Sequence, residues 1–360
     1  MLYNDAPSSA TRTSQKDEHN VVTRAPLQDR FGRTFNYIRI AVTEKCNLRC
    51  TYCMPEEGVD FKHGDQILSA AEIHRVIGIL ATMGIRKVRF TGGEPTVRKD
   101  IATLVKSAVD SPGIRSINLT TNGILFDKYA EDLLAAGLTG INFSLDTLEK
   151  EKFVRITRRT GGDKVLENIK LALRMGFPSV KVNNVLMAGF NDDEIFDFTE
   201  LTKDYAITVR FIEFMPFDAH QIWETGEHFF SAEQIVGTIK KNYPNIEPAP
   251  GSRTEHHIFK VPGYKGKIAV IPAFTRSLCG NCSRIRLTAD GNIRNCLYSE
   301  QEYPIRELLR EGANDDAIVA AFRKAYAEKA IDGFAAKKIS MVKRVNAGDI
   351  GRVSMTQIGG

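Results

Sequence analysis

The chain has 360 residues, 42% of them hydrophobic, enough to bury a large core and long enough for about two domains or one barrel with an appendage. Its 49 Lys and Arg against 44 Asp and Glu leave a net charge of +5. That mild, dispersed excess suits an anionic small molecule rather than nucleic acid, and no apolar run approaches the length of a bilayer span.

Residues 1–25 are rich in Ser, Thr, Asn and charge and carry no apolar signal-peptide core, while Asp5, Asp17 and Glu18 speak against a transit peptide. They read as a flexible extension of a cytoplasmic protein. From Tyr37 onward, β-branched runs alternate with helical segments, the pattern of parallel strands joined by right-handed crossover helices. Six strands are expected, at 37–42, 87–91, 116–120, 140–145, 179–185 and 208–214. The helix after the first strand opens with a capping box, Ser69 to Glu72, and stops before Gly84; later ones stop near Gly137 and Gly176. Six such units over 26–216 predict an α/β fold, an incomplete (β/α)6 TIM-type barrel whose site belongs at the carboxyl ends of the strands.

After Pro216 the repeat stops. Residues 217–262 read as a polar connection with one or two helices, and 263–360 as a C-terminal unit. In that unit the turn Ala289-Asp290-Gly291-Asn292 joins two strands, helices are expected near 304–310 and 315–329, and a polar tail ends in Gly359-Gly360.

All six cysteines fall into two triplets, Cys46, Cys50 and Cys53, then Cys279, Cys282 and Cys296. Two odd-numbered clusters suit two metal sites better than a disulfide framework, and they imply a reducing compartment. The first triplet, C-x3-C-x2-C, follows the first strand directly. Three thiolates leave one position of a cubane iron–sulfur cluster open, although a structural zinc with a distant fourth ligand also fits the spacing. The second triplet is again one ligand short, and zinc completed by His256 or His257 is its competing reading.

Thr91-Gly92-Gly93-Glu94-Pro95 ends the second strand, where paired glycines let backbone approach a ligand closely. Buried parallel strands are normally apolar, yet Arg39, Arg89, Lys181 and Arg210 sit in the middle of four of them. Such cations need an anion or water, so they point to a polyanionic ligand in the lumen, or else to ion pairs with Asp146 and Glu213. Strand alternation also puts Arg284 and Arg286 side by side as a clamp for phosphate or a purine edge, with Ile285 on the other face.

The first cysteine motif with its Gly-Gly-Glu-Pro partner resembles the radical S-adenosylmethionine (radical SAM) enzymes. Both triplets, Arg284-Ile285-Arg286, the Asp29-Arg30-Phe31-Gly32-Arg33 entry and the terminal Gly359-Gly360 together resemble the GTP 3′,8-cyclase family over residues 27–360. That resemblance implies two [4Fe-4S] clusters, one on each triplet, with S-adenosylmethionine on the first and GTP on the second. It places Gly93 at the amino group of S-adenosylmethionine, Tyr52 and Met215 at the adenine and Ser144 at the ribose or carboxylate. GTP would meet Arg39, Arg89, Thr120, Lys181, Arg284, Ile285 and Arg286, with Arg210 beside them. The tail, Gly359 and Gly360, would enter the site and be needed for activity.

The implied reaction is cyclisation of GTP to 3′,8-cyclo-7,8-dihydro-GTP, the first step of molybdenum cofactor biosynthesis. It brings with it a homodimer, an external electron donor and hand-over to cyclic pyranopterin monophosphate synthase. A radical SAM peptide-modifying enzyme with an auxiliary cluster and a non-catalytic metal-binding module are the alternatives.

Overall fold

The computed structural model describes residues 23–215, 228–250, 257–275, 279–347 and 352–359, the side chains of 341–347 excepted. All six expected strands form within a residue of their predicted ends: β1 (Tyr37–Ala41), β2 (Lys87–Thr91), β3 (Ser116–Thr121), β4 (Gly140–Ser144), β5 (Val180–Leu186) and β6 (Thr208–Glu213). Neighbours pair in parallel and in chain order. The crossovers carry α1 (Ala70–Thr82), α2 (Ile101–Val109), α3 (Ala130–Ala135), α4 (Lys150–Thr157), α5 (Gly162–Arg174) and α6 (Ile195–Asp204).

The start of α1 is written in its first turn. Ser69 Oγ accepts from the Glu72 amide and the Glu72 carboxylate accepts from the Ser69 amide, satisfying two donors that a helix start leaves over. Past its end Gly84 takes φ +93°, a conformation costly for any other residue. The helix buries Ile73, Val76, Ile77 and Leu80 completely, so Leu80→Ala should cost about 2–5 kcal/mol.

The C-terminal third departs from the sequence reading. Strands expected in a unit of their own extend the barrel sheet instead: β9 (Lys267–Ile271) pairs in parallel with β6, and β10 (Arg284–Leu287) in parallel with β1. Beyond β9 lie β8 (His257–Lys260) and β7 (Glu247–Pro248), and beyond β10 lie β11 (Asn292–Arg294) and β12 (Tyr303–Pro304), making one sheet of twelve strands. The reason is burial. Ile268, Val270, Ile285 and Leu287 are all 0–1% exposed within the same hydrophobic cluster as β1 to β6.

The connection holds α7 (Ala232–Asn242) as well as that hairpin, and α8 (Arg306–Arg310) and α9 (Asp315–Ala327) form where expected. The tail is not only polar coil. Residues Gly333–Ala347 form α10, a helix whose weak apolar periodicity hid it in the sequence. Among the described residues no helix is long and apolar enough to cross a membrane.

Candidate active site

Strand register builds the lumen. Arg39 lies opposite Arg89 on one side and Arg286 on the other, so three guanidiniums stand in one row. They share a cavity of about 560 Å³ with Lys87, Lys181, Arg210 and Arg284. Thr120, Ser144, Gly93, Tyr52 and Met215 line the same cavity, with all three cysteines of the first triplet. The sequence reading therefore assembled one site from residues spread over the whole chain. Ile285 is the exception: its side chain lies fully buried in the core on the opposite face of β10, which leaves only its backbone to the cavity.

Packing cations together out of water weakens their hold on protons. Burial, then neighbouring charge, brings Arg89 and Arg286 down to about 9 and Lys87 to about 8. Tyr37, two residues before Arg39 on β1, shifts downward too, but for a phenol that means gaining a charge rather than losing one. Burial alone would raise its phenol, but Arg39, Arg89, Arg284 and Lys87 outweigh it and bring the group to about 7. Its oxygen accepts from Arg39 Nε at 3.1 Å, and Lys87 and Arg89 lie over its ring at 5.1 and 5.6 Å.

The two carboxylates that could have neutralised this row are engaged elsewhere. Asp146 accepts from the Tyr52 hydroxyl at 2.7 Å and the Val185 amide at 2.8 Å, and Glu213 from the amides of Ala232, Phe274 and Thr275. Arg89 Nε is buried without a hydrogen-bond partner. Such a lumen is complementary in charge to a polyanion.

At the carboxyl ends of the strands, the loop bearing Cys46, Cys50 and Cys53 is held by α4. The amides of Arg49 and Thr51 donate to the carbonyls of Thr157 and Ile156. The double glycine has a packing reason. A Cβ on Gly93 would stand 2.3 Å from the Lys45 carbonyl, and one on Gly92 2.3 Å from that of Thr43. This close approach lets the Gly93 and Glu94 amides donate to Thr43 and Lys45, which ties the second strand to the root of the cysteine loop. Gly93 thus keeps only its carbonyl for an incoming amino group. Glu94, fully buried, accepts from Thr96, Thr121 and the Asn122 amide, and so fixes the end of β3.

The three thiols share one buried, acid-flanked setting. Burial first, then Glu94, pushes Cys46 up to about 11; burial and Cys46 push Cys53 up to about 12; and Cys50 is raised by burial, its two partner thiols and Asp146. Three thiols crowded out of water beside carboxylates give up their protons only to a strongly cationic centre. Among the described residues no three His, Cys, Asp or Glu side chains close on a single ion. The thiols line one wall, open toward the lumen.

The second triplet sits at the other mouth. Arg284 lies opposite Tyr37, the first residue of β1, and Cys282 precedes it, whereas Cys46 follows the last residue of β1. Five residues of strand separate these levels, about 16 Å at 3.3 Å each. Cys279, Cys282 and Cys296 surround a smaller cavity of about 100 Å³ that shares Arg284 and Arg286 with the larger one. Lys329, 2% exposed, lines it too, and its ammonium donates to the Asn295 carbonyl. Burial alone would raise Cys282, but Lys329, Arg284 and the Arg284 amide bring it below the ordinary thiol value. His257 lies on β8 and does not line this cavity; His256 lies outside the described residues.

The tail closes the wall. The Gly359 carbonyl accepts from Thr91 Oγ1 at 3.0 Å and from Arg286 Nη1 at 3.4 Å, and Gly359 takes φ +76° with Ala41 and Thr91 where a Cβ would stand. Gly360 lies outside the described residues. Tyr37 and Lys87 line the larger cavity, and the sequence reading did not select them. Strand alternation could have added Lys87, two places from Arg89, but Lys329 carries no local signal.

Comparison with known proteins agrees with this geometry. Residues 40–202 match the model of the radical SAM superfamily, and residues 207–333 the model described as Molybdenum Cofactor Synthesis C. The chain is 43% identical to GTP 3′,8-cyclase of Chlorobaculum tepidum, over 93% of this chain and 97% of that one. It is 45% identical to the mitochondrial GTP 3′,8-cyclase of Arabidopsis thaliana, over 81% of this chain and 75% of that one. Against human molybdenum cofactor biosynthesis protein 1 the identity is 41% over 87% of this chain, which spans about half of that longer protein, 49%.

Among solved structures, Streptococcus suis SuiB bound to its precursor peptide SuiA has a TM-score of 0.57 at 15% identity, over 82% of this chain and 67% of that one. The structure of anSMEcpe with bound AdoMet has a TM-score of 0.53 at 14% identity, over 82% and 81% of the two chains. At such identities the likeness is one of fold alone.

Proposed function

We infer the chemistry of this cavity from the premise that the chain belongs to the GTP 3′,8-cyclase family of radical SAM enzymes. It converts GTP to (8S)-3′,8-cyclo-7,8-dihydroguanosine 5′-triphosphate, the first step of molybdenum cofactor biosynthesis. In this reading Cys46, Cys50 and Cys53 hold a [4Fe-4S] cluster, and Cys279, Cys282 and Cys296 hold a second. When bound, the first cluster supplies the electron that opens the C5′–S bond of S-adenosylmethionine, chemistry for which the protein has no group of its own.

The chain supplies position. The Gly93 carbonyl accepts from the amino group of S-adenosylmethionine, Ser144 meets its ribose or carboxylate side, and Tyr52 and Met215 bound the adenine. Arg39, Arg89, Lys181 and Arg210 take the triphosphate, Arg284 and Arg286 grip the nucleotide beside the second triplet, and Thr120 lines the path between the two. Gly359 stands in the wall against Thr91 and Arg286. A homodimer, cytoplasmic residence, an external electron donor and hand-over to cyclic pyranopterin monophosphate synthase accompany this reading.

One observation carries it: two adjoining cavities that share Arg284 and Arg286, each lined by one thiol triplet, with a row of cations along the larger one. The test is to incubate anaerobically reconstituted protein with S-adenosylmethionine, reductant and either GTP or a peptide. Mass spectrometry should find 5′-deoxyadenosine together with a cyclised nucleotide only in the GTP sample. Triggering by peptide alone would overturn the assignment.

A further inference from the structure

The tail that carries Gly359 is moored by one side chain outside the cavity. Arg352 reaches three carboxylates from three separate segments. Its Nε and Nη2 donate to Glu302 at 2.7 and 2.8 Å, Nη2 to both oxygens of Asp290 at 2.9 Å, and Nη1 to Glu44 at 3.3 Å. Nη1 also donates to the Gln357 carbonyl at 3.1 Å, two residues before Gly359.

Each partner stands at a meaningful place. Glu44 lies two residues before Cys46, and Asp290 is in the β10–β11 turn between Arg286 and Cys296. Both are buried, at 0% and 4% exposure; apart from Arg352, Asp290 pairs with the Lys62 ammonium and Glu44 accepts from the Lys62 backbone amide at 3.1 Å. Removing the guanidinium would therefore leave buried like charges facing each other, a costly state relieved by moving the tail or its neighbours. Past the mooring, Ser354 Oγ and the Met355 amide donate to the Cys53 carbonyl at 3.0 and 3.1 Å.

We propose that Arg352 is the positioning residue that seats Gly359 in the cavity, and that it locks the tail to both cysteine-bearing regions at once. Its effect on the tail stands on the geometry alone; its effect on turnover rests on the function inferred above. A planar fork can serve three carboxylates and a carbonyl together, which a lysine ammonium cannot match.

Hydrogen–deuterium exchange on the metal-free protein tests the seat directly. Arg352→Gln should speed exchange at the Met355 to Ile358 amides at least tenfold, with the amides of α1 unchanged, and Arg352→Lys should recover part of the protection. Unchanged tail exchange in Arg352→Gln overturns the proposal. Should Arg352→Gln loosen the whole chain, Glu302→Gln decides. This milder change should free the tail alone, and global loosening in both variants counts against a dedicated seat.

In reconstituted enzyme, Arg352→Gln should raise the ratio of 5′-deoxyadenosine to cyclised nucleotide several-fold with the S-adenosylmethionine KM unchanged. A freed tail with an unchanged ratio overturns the link to the reaction. If the wild-type protein does not cyclise GTP, the function inferred above fails, while the exchange measurement still decides the seat.

Discussion

The two mouths of the cavity hold equal numbers of thiols in opposite electrostatic settings. Around Cys46, Cys50 and Cys53 the neighbours are Glu94 and Asp146, burial dominates, and every thiol is pushed up. Around Cys282 stand Lys329, Arg284 and Arg286, and its thiol is pulled down, although burial pushes its neighbour Cys279 up. Coordination spacing alone makes the triplets look equivalent. In the function proposed above, the charge around them favours different guests: a sulfonium with its amino group the carboxylate-flanked end, and a nucleotide triphosphate the guanidinium-lined end.

The strongest way to break this contrast is to delete one end at a time. Cys50→Ala should abolish S-adenosylmethionine cleavage, whereas Cys282→Ala should abolish nucleotide cyclisation and spare 5′-deoxyadenosine formation. Each should lower the iron content of reconstituted protein from about eight to about four per chain. Tightly bound zinc in place of the second set would refute the two-cluster assignment.

Next in size, Arg284→Ala or Arg286→Ala should weaken GTP binding by about 1.5–3 kcal/mol, with S-adenosylmethionine affinity unchanged by calorimetry. Equal losses for both ligands would merge the two ends into one undifferentiated site. Gly93→Ala should act at the first end only. Its new methyl meets the Lys45 carbonyl, so a stability loss of about 1–3 kcal/mol is expected in urea unfolding, and GTP affinity should hold.

The smallest effect sharpens the picture of the cationic end. Tyr37 ionises near pH 7 in the folded protein, against about 10 when unperturbed. Its phenolate subtracts one positive charge from the cavity, so GTP binds better to the phenol form and affinity should fall as pH rises through 7. Bound triphosphate should in turn raise the titration seen by phenolate absorbance. Tyr37→Phe should remove that phase, and a profile identical to the wild type would show that Tyr37 does not titrate there.

Much of this is legible in the amino-acid sequence. The six strands, the Ser69 capping box and the β10–β11 turn are local patterns, and each formed as expected. The two cysteine triplets and the misplaced cations in apolar strands are local as well, because alternation along a strand decides which side chains share a face. The cavity then collected Arg39, Arg89, Lys181, Arg210, Arg284 and Arg286 on that rule alone. Ile285 followed the same rule to the opposite face, into the core.

Other features depended on which distant segments meet. Nothing in 267–271 or 284–287 announces that they flank β6 and β1 rather than forming a sheet of their own, since strand partners are chosen by burial and register across the chain. Lys329 beside Cys282, and Arg352 among Glu44, Asp290 and Glu302, are contacts across 47 to more than 300 residues of chain. The sequence by itself determined the two cysteine triplets and the charges of the lumen, because spacing and alternation are properties of neighbours. Only the tertiary structure decided that one mouth is acidic and the other basic and where the tail lies, because a group's electrostatic surroundings come from whatever folding packs against it.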